Sequence, residues 1–231
     1  MFGKILKQQL SLIYHDRSII LFSVLAIVIG LSPFGQLTIL RKSADMSQFL
    51  TSIFSPYTLC FGLFTISLIA SLNTEKFRLN DFLITRTRTS ITVSIIIRTG
   101  FIQLIIWLLW MCSSILTITL SGLGNLLILT RFEILILYFY VYLVLLLLSL
   151  VELFILTIIR SKIIAFTTAF GINCFDFYLS KIKINSLIYY FVTPKSLLGI
   201  LVRSIIMVIL TIVFTVSINK IIFKKEFLEV N

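Results

Sequence analysis

Residues 133–159 read EILILYFYVYLVLLLLSLVELFILTII, a run in which only Glu133 and Glu152 carry a charge. About 20 mostly apolar residues in helical conformation are enough to cross a hydrocarbon layer roughly 30 Å thick. We therefore predict that this stretch is a transmembrane helix. Its aromatic cluster, Tyr138, Phe139, Tyr140 and Tyr142, is predicted to lie at a membrane–water boundary, where aromatic rings are enriched.

Five further apolar runs have the length of a membrane span, and two of them contain proline. Hydrophobic residues make up 59% of the 231 residues and charged residues 13%, against about 45–50% and about 25% in soluble proteins. Pro33 and Gly35 interrupt the first run, and Pro56 opens the second. We predict an all-α polytopic membrane protein whose six spans cover residues 18–40, 53–72, 99–121, 133–159, 163–180 and 199–219.

The chain divides into three predicted regions. Residues 1–17 place apolar side chains at helical spacing and are expected to form an amphipathic helix in the membrane interface. The alternative for them is a cytoplasmic extension of the first span. Residues 18–219 form the six-span domain, and residues 220–231 form a basic cytoplasmic tail.

Basic residues are distributed unequally between the links that join the spans. About 13 of the 20 Lys and Arg residues fall in the N-terminal region, the links at 73–98 and 160–162, and the tail, which predicts that this side is cytoplasmic. The protein is therefore expected in the cell membrane, with both termini inside. Because the basic residues flank apolar runs, the net charge of +11 does not indicate nucleic-acid binding.

Motifs for nucleotide or metal binding are not found in the sequence. His15 is the only histidine, so no multi-histidine metal site is predicted. Gly30 and Gly35 have the spacing of a phosphate loop, but Gln36 and Leu37 stand where Lys and Ser or Thr are required. We expect no catalytic residue and no cofactor on this chain, so ATP-driven work would need a partner.

The most distinctive polar stretch is the basic turn after the second span, LNDFLITRTRTS at residues 79–90. Arg86 and Arg88 stand in a Thr- and Ser-rich setting on the predicted cytoplasmic side, and Arg98 precedes the third span. The guanidinium fork suits bidentate contacts with carboxylates of a partner protein. A loop that binds lipid headgroups explains the residues equally well.

In layout and in this turn, the chain resembles the permease subunits of ABC transporters of the type-2 exporter class, and most of all the small stand-alone permeases of Gram-positive bacteria. The resemblance implies a coupling helix at about 77–92 that docks on a separate ATPase, with ATP and Mg on that partner. It also implies two ATPase copies, a second permease (identical or similar) and a peptide-like cargo such as a bacteriocin. The implied coupling residues are Phe82, Thr85, Arg86, Arg88, Ser90 and Arg98.

The same resemblance implies an outer gate before the sixth span. Residues 184–193 would form short interfacial helices, with Ile188, Tyr189 and Phe191 in the gate, and Pro194 would separate them from the last span. The alternative for this segment is a lipid-facing amphipathic link.

Polar residues within the spans are the remaining candidates for function. Glu152 lies about two turns from the predicted inner end of its span, and it should face a cavity or a partner group, since a carboxylate facing lipid costs on the order of 3 kcal/mol. Glu152, Asn173 and Asp176 are predicted to line a substrate path. The alternative for Glu152 is a structural hydrogen bond between helices, and such bonds are favoured for Gln103 and Asn173.

Two other functions are consistent with the sequence. The chain could be a membrane immunity or accessory protein that binds a peptide without transporting it. It could also be a membrane enzyme with Glu152 and Asp176 as acid and base. The predicted topology disfavours the enzyme because it puts these carboxylates in different halves of the bilayer.

Overall fold

The computed structural model describes residues 17–40, 46–74, 88–192 and 197–224, and these residues form helices, turns and short loops. Six of the helical segments are long and apolar enough to cross a membrane. The predicted all-α polytopic fold is therefore confirmed. The predicted interfacial helix lies outside the described residues, apart from Arg17.

The six spans are assembled from longer and shorter helices. Their bounds are Arg17–Ile39 (span 1), Gln48–Asn73 (span 2), Thr92–Leu120 (span 3), Arg131–Ile159 (span 4), Lys162–Lys181 (span 5) and Leu198–Ile222 (span 6). The helices are Arg17–Leu31, Phe34–Leu40, Met46–Ile53, Thr65–Thr74, Arg88–Leu120, Gly124–Leu129, Arg131–Ile159, Lys162–Lys181 and Leu197–Lys224, with a π-helix at Thr58–Phe64 and a 3₁₀ turn at Tyr190–Val192.

Several helices extend beyond the spans predicted from hydropathy. Helical structure leading into span 2 begins at Met46, whereas the span was predicted to begin at 53. The helix of span 3 begins at Arg88 and not at 99, and the last helix continues to Lys224. Backbone hydrogen bonding continues past the apolar core of a helix, so hydropathy marks the middle of a span better than its ends.

Two short connections define the ends of the bundle. Spans 4 and 5 are joined by Arg160, which adopts a left-handed conformation with φ of 59°, and by Ser161, whose hydroxyl accepts a hydrogen bond from the Ile164 amide at 3.4 Å. We call this the Arg160 end. At the opposite end Gly122, with φ of 78°, turns the chain from span 3 towards span 4. We call this the Gly122 end.

Proline interrupts span 1 as predicted, and it also interrupts span 2, where Pro56 was predicted to open the span. Before Pro33, the Ser32 amide and hydroxyl both donate to the Ile29 carbonyl, at 3.3 and 2.8 Å, and the helix restarts at Phe34. In span 2 the chain leaves helical conformation at Phe54 and Ser55, just before Pro56. Because proline has no amide hydrogen and clashes with the preceding turn, it disrupts a helix at these positions.

Span 4 is the centre of the bundle. It is the most buried of the six spans and packs against spans 3, 5 and 6, while span 1 packs along span 3. Span 6 is the least buried, and its apolar side chains are largely exposed on the surface of the bundle. Such a surface is what lipid tails require.

The aromatic cluster of span 4 is divided between the interior and the surface of the bundle. Tyr138 and Tyr140 are buried, and Phe139 is 49% exposed. The Tyr138 hydroxyl is 2.6 Å from the Ser114 hydroxyl, and Trp107 Nε1 donates to the Tyr138 carbonyl at 2.8 Å. Partners inside the bundle satisfy these polar groups, so the two tyrosines face the interior of the bundle.

Gly30 allows the close approach of spans 1 and 3. A Cβ atom at Gly30 would lie 1.9 Å from Ser113 Oγ and 2.8 Å from the Trp110 carbonyl oxygen, and Thr117 Oγ1 donates to the Gly30 carbonyl at 3.0 Å. We expect Gly30→Val to force the two spans apart and destabilise the protein by about 1–3 kcal/mol. Thermal unfolding in detergent measures this.

Gly35→Val, in the same span, is the matched control for that substitution. A Cβ atom at Gly35 meets no atom within 4 Å, so its unfolding temperature should stay close to that of the parent protein. Equal losses in the two variants would contradict the close packing of spans 1 and 3.

Candidate functional site

Polar side chains from spans 2, 3 and 4 meet inside the bundle towards the Arg160 end. Ser67 Oγ donates to Gln103 Oε1 at 2.5 Å, and Gln103 Nε2 donates to the Ser67 carbonyl at 3.3 Å. The Ser71 hydroxyl donates to Glu152 Oε2. We call Ser67, Ser71, Arg98, Gln103 and Glu152 the polar layer. All five are buried, so the layer is an internal feature of the bundle.

The polar layer contains one buried cation and one buried anion. Arg98 is 5% exposed and Glu152 is 0% exposed, and they are the two buried charged residues in the described part of the chain. Ser71 is one turn beyond Ser67 in span 2, and Arg98 is slightly more than one turn before Gln103 in span 3. Because Ser67 bonds Gln103, this register puts Arg98 near the level of Ser71 and therefore of Glu152. The formal charges of the layer therefore cancel.

Span 5 begins beside the polar layer and fastens the end of span 2. Lys162 Nζ donates to the carbonyl of Leu72 at 3.0 Å, one residue beyond Ser71. A basic side chain at the carboxyl end of a helix satisfies a carbonyl that lacks a partner within the helix. The Arg160 end of span 2 is therefore held by spans 3, 4 and 5 together.

The residues predicted for ATPase coupling are in three situations. Phe82, Thr85 and Arg86 lie outside the described residues. Arg88 and Ser90 are in the first turn of the helix that continues as span 3. Arg98 is in the interior of the bundle and not on a surface loop. Hydropathy predicted that the third span begins at residue 99, so Arg98 was assigned to the turn before it. In the structure the helix already begins at Arg88, ten residues before Arg98.

A second arrangement closes the Gly122 end of the bundle. We call residues 184–192 the plug. The Asp176 carboxylate in span 5 accepts four hydrogen bonds from it: from Ser186 Oγ at 2.5 Å, and from the amides of Leu187, Ile188 and Tyr189 at 3.0, 2.7 and 3.3 Å. Three consecutive backbone amides directed at one carboxylate fix the conformation of the plug.

Spans 4 and 6 hold the plug from other sides. The Tyr140 hydroxyl of span 4 donates to the Leu187 carbonyl. Arg203 of span 6 donates through Nε to the Ser186 carbonyl at 3.1 Å, and its guanidinium lies 3.4 Å from the centroid of the Tyr190 ring. The plug therefore makes polar contacts with three different spans.

The plug differs from the short helices predicted for this segment. Ile188, Tyr189, Tyr190 and Phe191 are buried, and the helical structure between 184 and 192 is limited to the 3₁₀ turn. The amides that would form a helical ladder bond Asp176 instead, so the helices do not form. The alternative of a lipid-facing link was also wrong for these residues. Pro194 lies outside the described residues.

Asn173 joins the plug to span 2. Its Nδ2 donates to the Cys60 carbonyl at 3.2 Å, and its Oδ1 accepts from the Tyr189 hydroxyl at 2.6 Å. Burial raises the pKa of the Tyr189 phenol, so the hydroxyl stays protonated and acts as the donor. The inter-helix hydrogen bonds predicted for Gln103 and Asn173 are confirmed, and Glu152 does not face lipid, as expected.

Sequence reasoning missed the contacts that hold the plug. Asp176 was predicted for a substrate path, but its four donors come from residues 186–189. No motif around Arg203 indicated its contact with the plug. The local signal was Ser186, whose hydroxyl accepts from the Tyr189 amide at 2.8 Å, a pattern that Ser and Thr make at the start of turns.

The two carboxylates are at different depths. Counted from the Arg160 end at 1.5 Å per residue, Glu152 is about 10 Å deep in span 4 and Asp176 about 21 Å deep in span 5. Among the residues that the structure describes, no three His, Cys, Asp or Glu side chains lie close enough together to hold a metal ion. The polar layer and the plug are therefore separate candidate sites in one bundle.

No protein-family model, no curated protein sequence and no solved structure matches this chain.

Proposed function

We propose that this chain is the transmembrane permease subunit of an ATP-driven exporter of the ABC type, energised by a separate ATPase subunit. The observation that supports this best is the plug. It closes one end of a six-helix bundle through side-chain and backbone hydrogen bonds to Asp176, Tyr140 and Arg203. Polar contacts of this kind can break and form again, which a gate requires.

In this proposal the Arg160 end faces the cytoplasm and the Gly122 end faces outward, following the excess of Lys and Arg at the Arg160 end. The basic turn around Arg86 and Arg88 links spans 2 and 3, which both contribute to the polar layer. Movement of a docked ATPase against this turn would reach Ser71 and Gln103 directly through the two spans. Two permeases and two ATPase subunits would make the complete exporter.

In this proposal the cargo is a peptide or an amphipathic small molecule that contacts the aromatic side chains packed around the plug once the plug has moved. Phe54 packs edge-on or tilted against Trp110, Tyr138 and Phe191, with ring centroids 5.1–6.3 Å apart. When the plug leaves, the Asp176 carboxylate loses its donors, and a cationic group of the cargo can replace them. Asn173 and Glu152 would line the same route nearer the Arg160 end.

The decisive experiment is purification of the tagged protein from its native membranes in mild detergent. We expect an ATP-hydrolysing subunit in equal amount with the permease, and Mg-dependent ATP hydrolysis by the complex. Arg86→Glu with Arg88→Glu should reduce the amount of bound ATPase at least tenfold, since reversing both charges replaces attraction by repulsion at the docking surface.

Arg131→Glu with Lys181→Glu is the matched control, because both residues lie at the Gly122 end and should not affect ATPase binding. A complex that binds a peptide but contains no ATPase would support the immunity or accessory function instead. Labelling that finds the Arg86–Arg88 turn outside the cell would contradict the exporter proposal.

A further inference from the structure

Span 2 contains a π-helix, Thr58–Phe64, between two regular helical segments. In a π-helix each amide bonds a carbonyl five residues back, and such segments are rare and frequently found at functional sites. The Cys60 carbonyl in this segment accepts from Thr65 Oγ1 at 2.9 Å and from Asn173 Nδ2 at 3.2 Å. A neighbouring span therefore bonds a backbone carbonyl inside the irregular segment.

Hydrogen bonds hold span 2 at two places, one within the π-helix and one beyond it. Towards the Gly122 end, Asn173 holds the Cys60 carbonyl. Towards the Arg160 end, Gln103 and Glu152 hold Ser67 and Ser71. Cys60 and Ser71 are about 16 Å apart along the helix at 1.5 Å per residue. The two attachments are thus fixed to different neighbours at different depths.

Asn173 uses its other amide atom for the plug. Its Oδ1 accepts from Tyr189, while its Nδ2 donates to span 2, and the side chain is fully buried. A rotation of span 2 at Cys60 would move the Cys60 carbonyl relative to Asn173, whose other amide atom is bonded to Tyr189. The plug and the backbone of span 2 are therefore joined through one side chain.

We infer that the π-helix of span 2 is a register switch that couples the plug to the polar layer, with Asn173 as the positioning residue between them. Conversion of the π-helix to an α-helix would turn one half of span 2 relative to the other by about 100° and shift it by about 1.5 Å. The bonds at Cys60 and those at Ser67 and Ser71 cannot all survive that rotation. Loss of the bonds at one end consequently releases the other end.

The coupling is tested by hydrogen exchange followed by mass spectrometry on the full-length protein in detergent or nanodiscs. Tyr189→Phe removes only the hydroxyl that bonds Asn173. We expect amide exchange to rise at least fivefold both in the plug and in residues 58–65 of span 2, because coupling between two sites is reciprocal. Tyr142→Phe, in a partly buried ring that packs against Trp107, should change neither.

The second test changes the polar layer and measures amide exchange in the plug. Ser67→Ala with Ser71→Ala should raise exchange of the Leu187, Ile188 and Tyr189 amides by a similar factor, although none of these residues contacts either serine. Ser149→Ala is the control, since this buried hydroxyl bonds only its own helix at the Leu146 carbonyl. Exchange that rises in the plug alone after Tyr189→Phe, or in span 2 alone after the serine changes, would overturn the switch. Should the serine variant fail to fold, the Tyr189→Phe result decides by itself.

The inference concerns how the plug is held and does not depend on an ATPase or a cargo. A positive exchange result with no ATPase partner would leave the switch standing and reject the proposed exporter. A stoichiometric ATPase with no change in amide exchange would support the proposed exporter and reject the switch.

Discussion

Replacing Glu152 by glutamine is expected to destabilise the protein by about 3–5 kcal/mol, the cost of leaving a buried charge without its counter-charge. The amide keeps the shape of the side chain and an acceptor for Ser71. The loss of stability therefore reports the effect of removing the negative charge alone. Glu152 is the buried anion in the described part of the chain, and Arg98 is the buried cation at about the same level. Unfolding in mixed micelles with increasing SDS measures the change.

The double variant Arg98→Gln with Glu152→Gln should recover most of the stability lost by Glu152→Gln alone, because it leaves no net charge in the layer. Glu133→Gln, at the exposed start of span 4, should cost less than about 0.5 kcal/mol. Additive losses for Arg98 and Glu152 would show that the two charges do not compensate each other. If a folded Glu152→Gln protein transports cargo normally, Glu152 is not part of the substrate path.

Replacing Asp176 by asparagine is expected to release the plug. The change removes the charge that strengthens four hydrogen bonds. It also puts an amide donor in place of one oxygen, either the one that accepts from Leu187 or the one that accepts from Ser186, Ile188 and Tyr189. Hydrogen bonds to a charged group contribute about 1.5–3 kcal/mol each, so losing the equivalent of one or two should raise plug amide exchange by about 10²-fold. Hydrogen exchange of residues 186–192 measures the effect.

Ser180→Ala is the control for Asp176→Asn, because Ser180 Oγ donates to the Phe177 carbonyl of its own helix at 2.6 Å and does not contact the plug. Unchanged exchange in the Asp176→Asn protein would mean that Tyr140 and Arg203 hold the plug without the carboxylate. In that case the plug would not be a gate controlled from span 5.

The spans could be predicted from sequence because each depends on local apolar length. The run at 133–159 crosses a membrane whatever surrounds it, and Pro33 breaks a helix through its own ring. For the polar layer, the sequence predicted only that Glu152 must have a partner inside the protein, and it did not identify that partner. Its partner, Ser71, is 81 residues away in the chain, and apolar periodicity does not specify such pairs.

The plug and the π-helix could not be predicted for a related reason. Residues 184–192 are apolar enough for an interfacial helix, and only the position of Asp176 in the folded bundle diverts their amides from a helical ladder. The π-helix at Thr58–Phe64 has no characteristic composition. Its Cys60 carbonyl accepts from Thr65 in the same span and from Asn173, and the second contact exists only when span 5 is in place.

The two-residue connection at Arg160 and Ser161 also affects how the protein is made. Span 5 is the least apolar of the six spans and contains Asn173 and Asp176, whereas span 4 is the most apolar. Because only two residues connect them, the two spans cannot insert independently, and the pair must enter the bilayer during biosynthesis as one helical hairpin. The surplus hydrophobicity of the fourth helix then compensates for the polar groups of the fifth, which lets the cell place two polar residues within one membrane span.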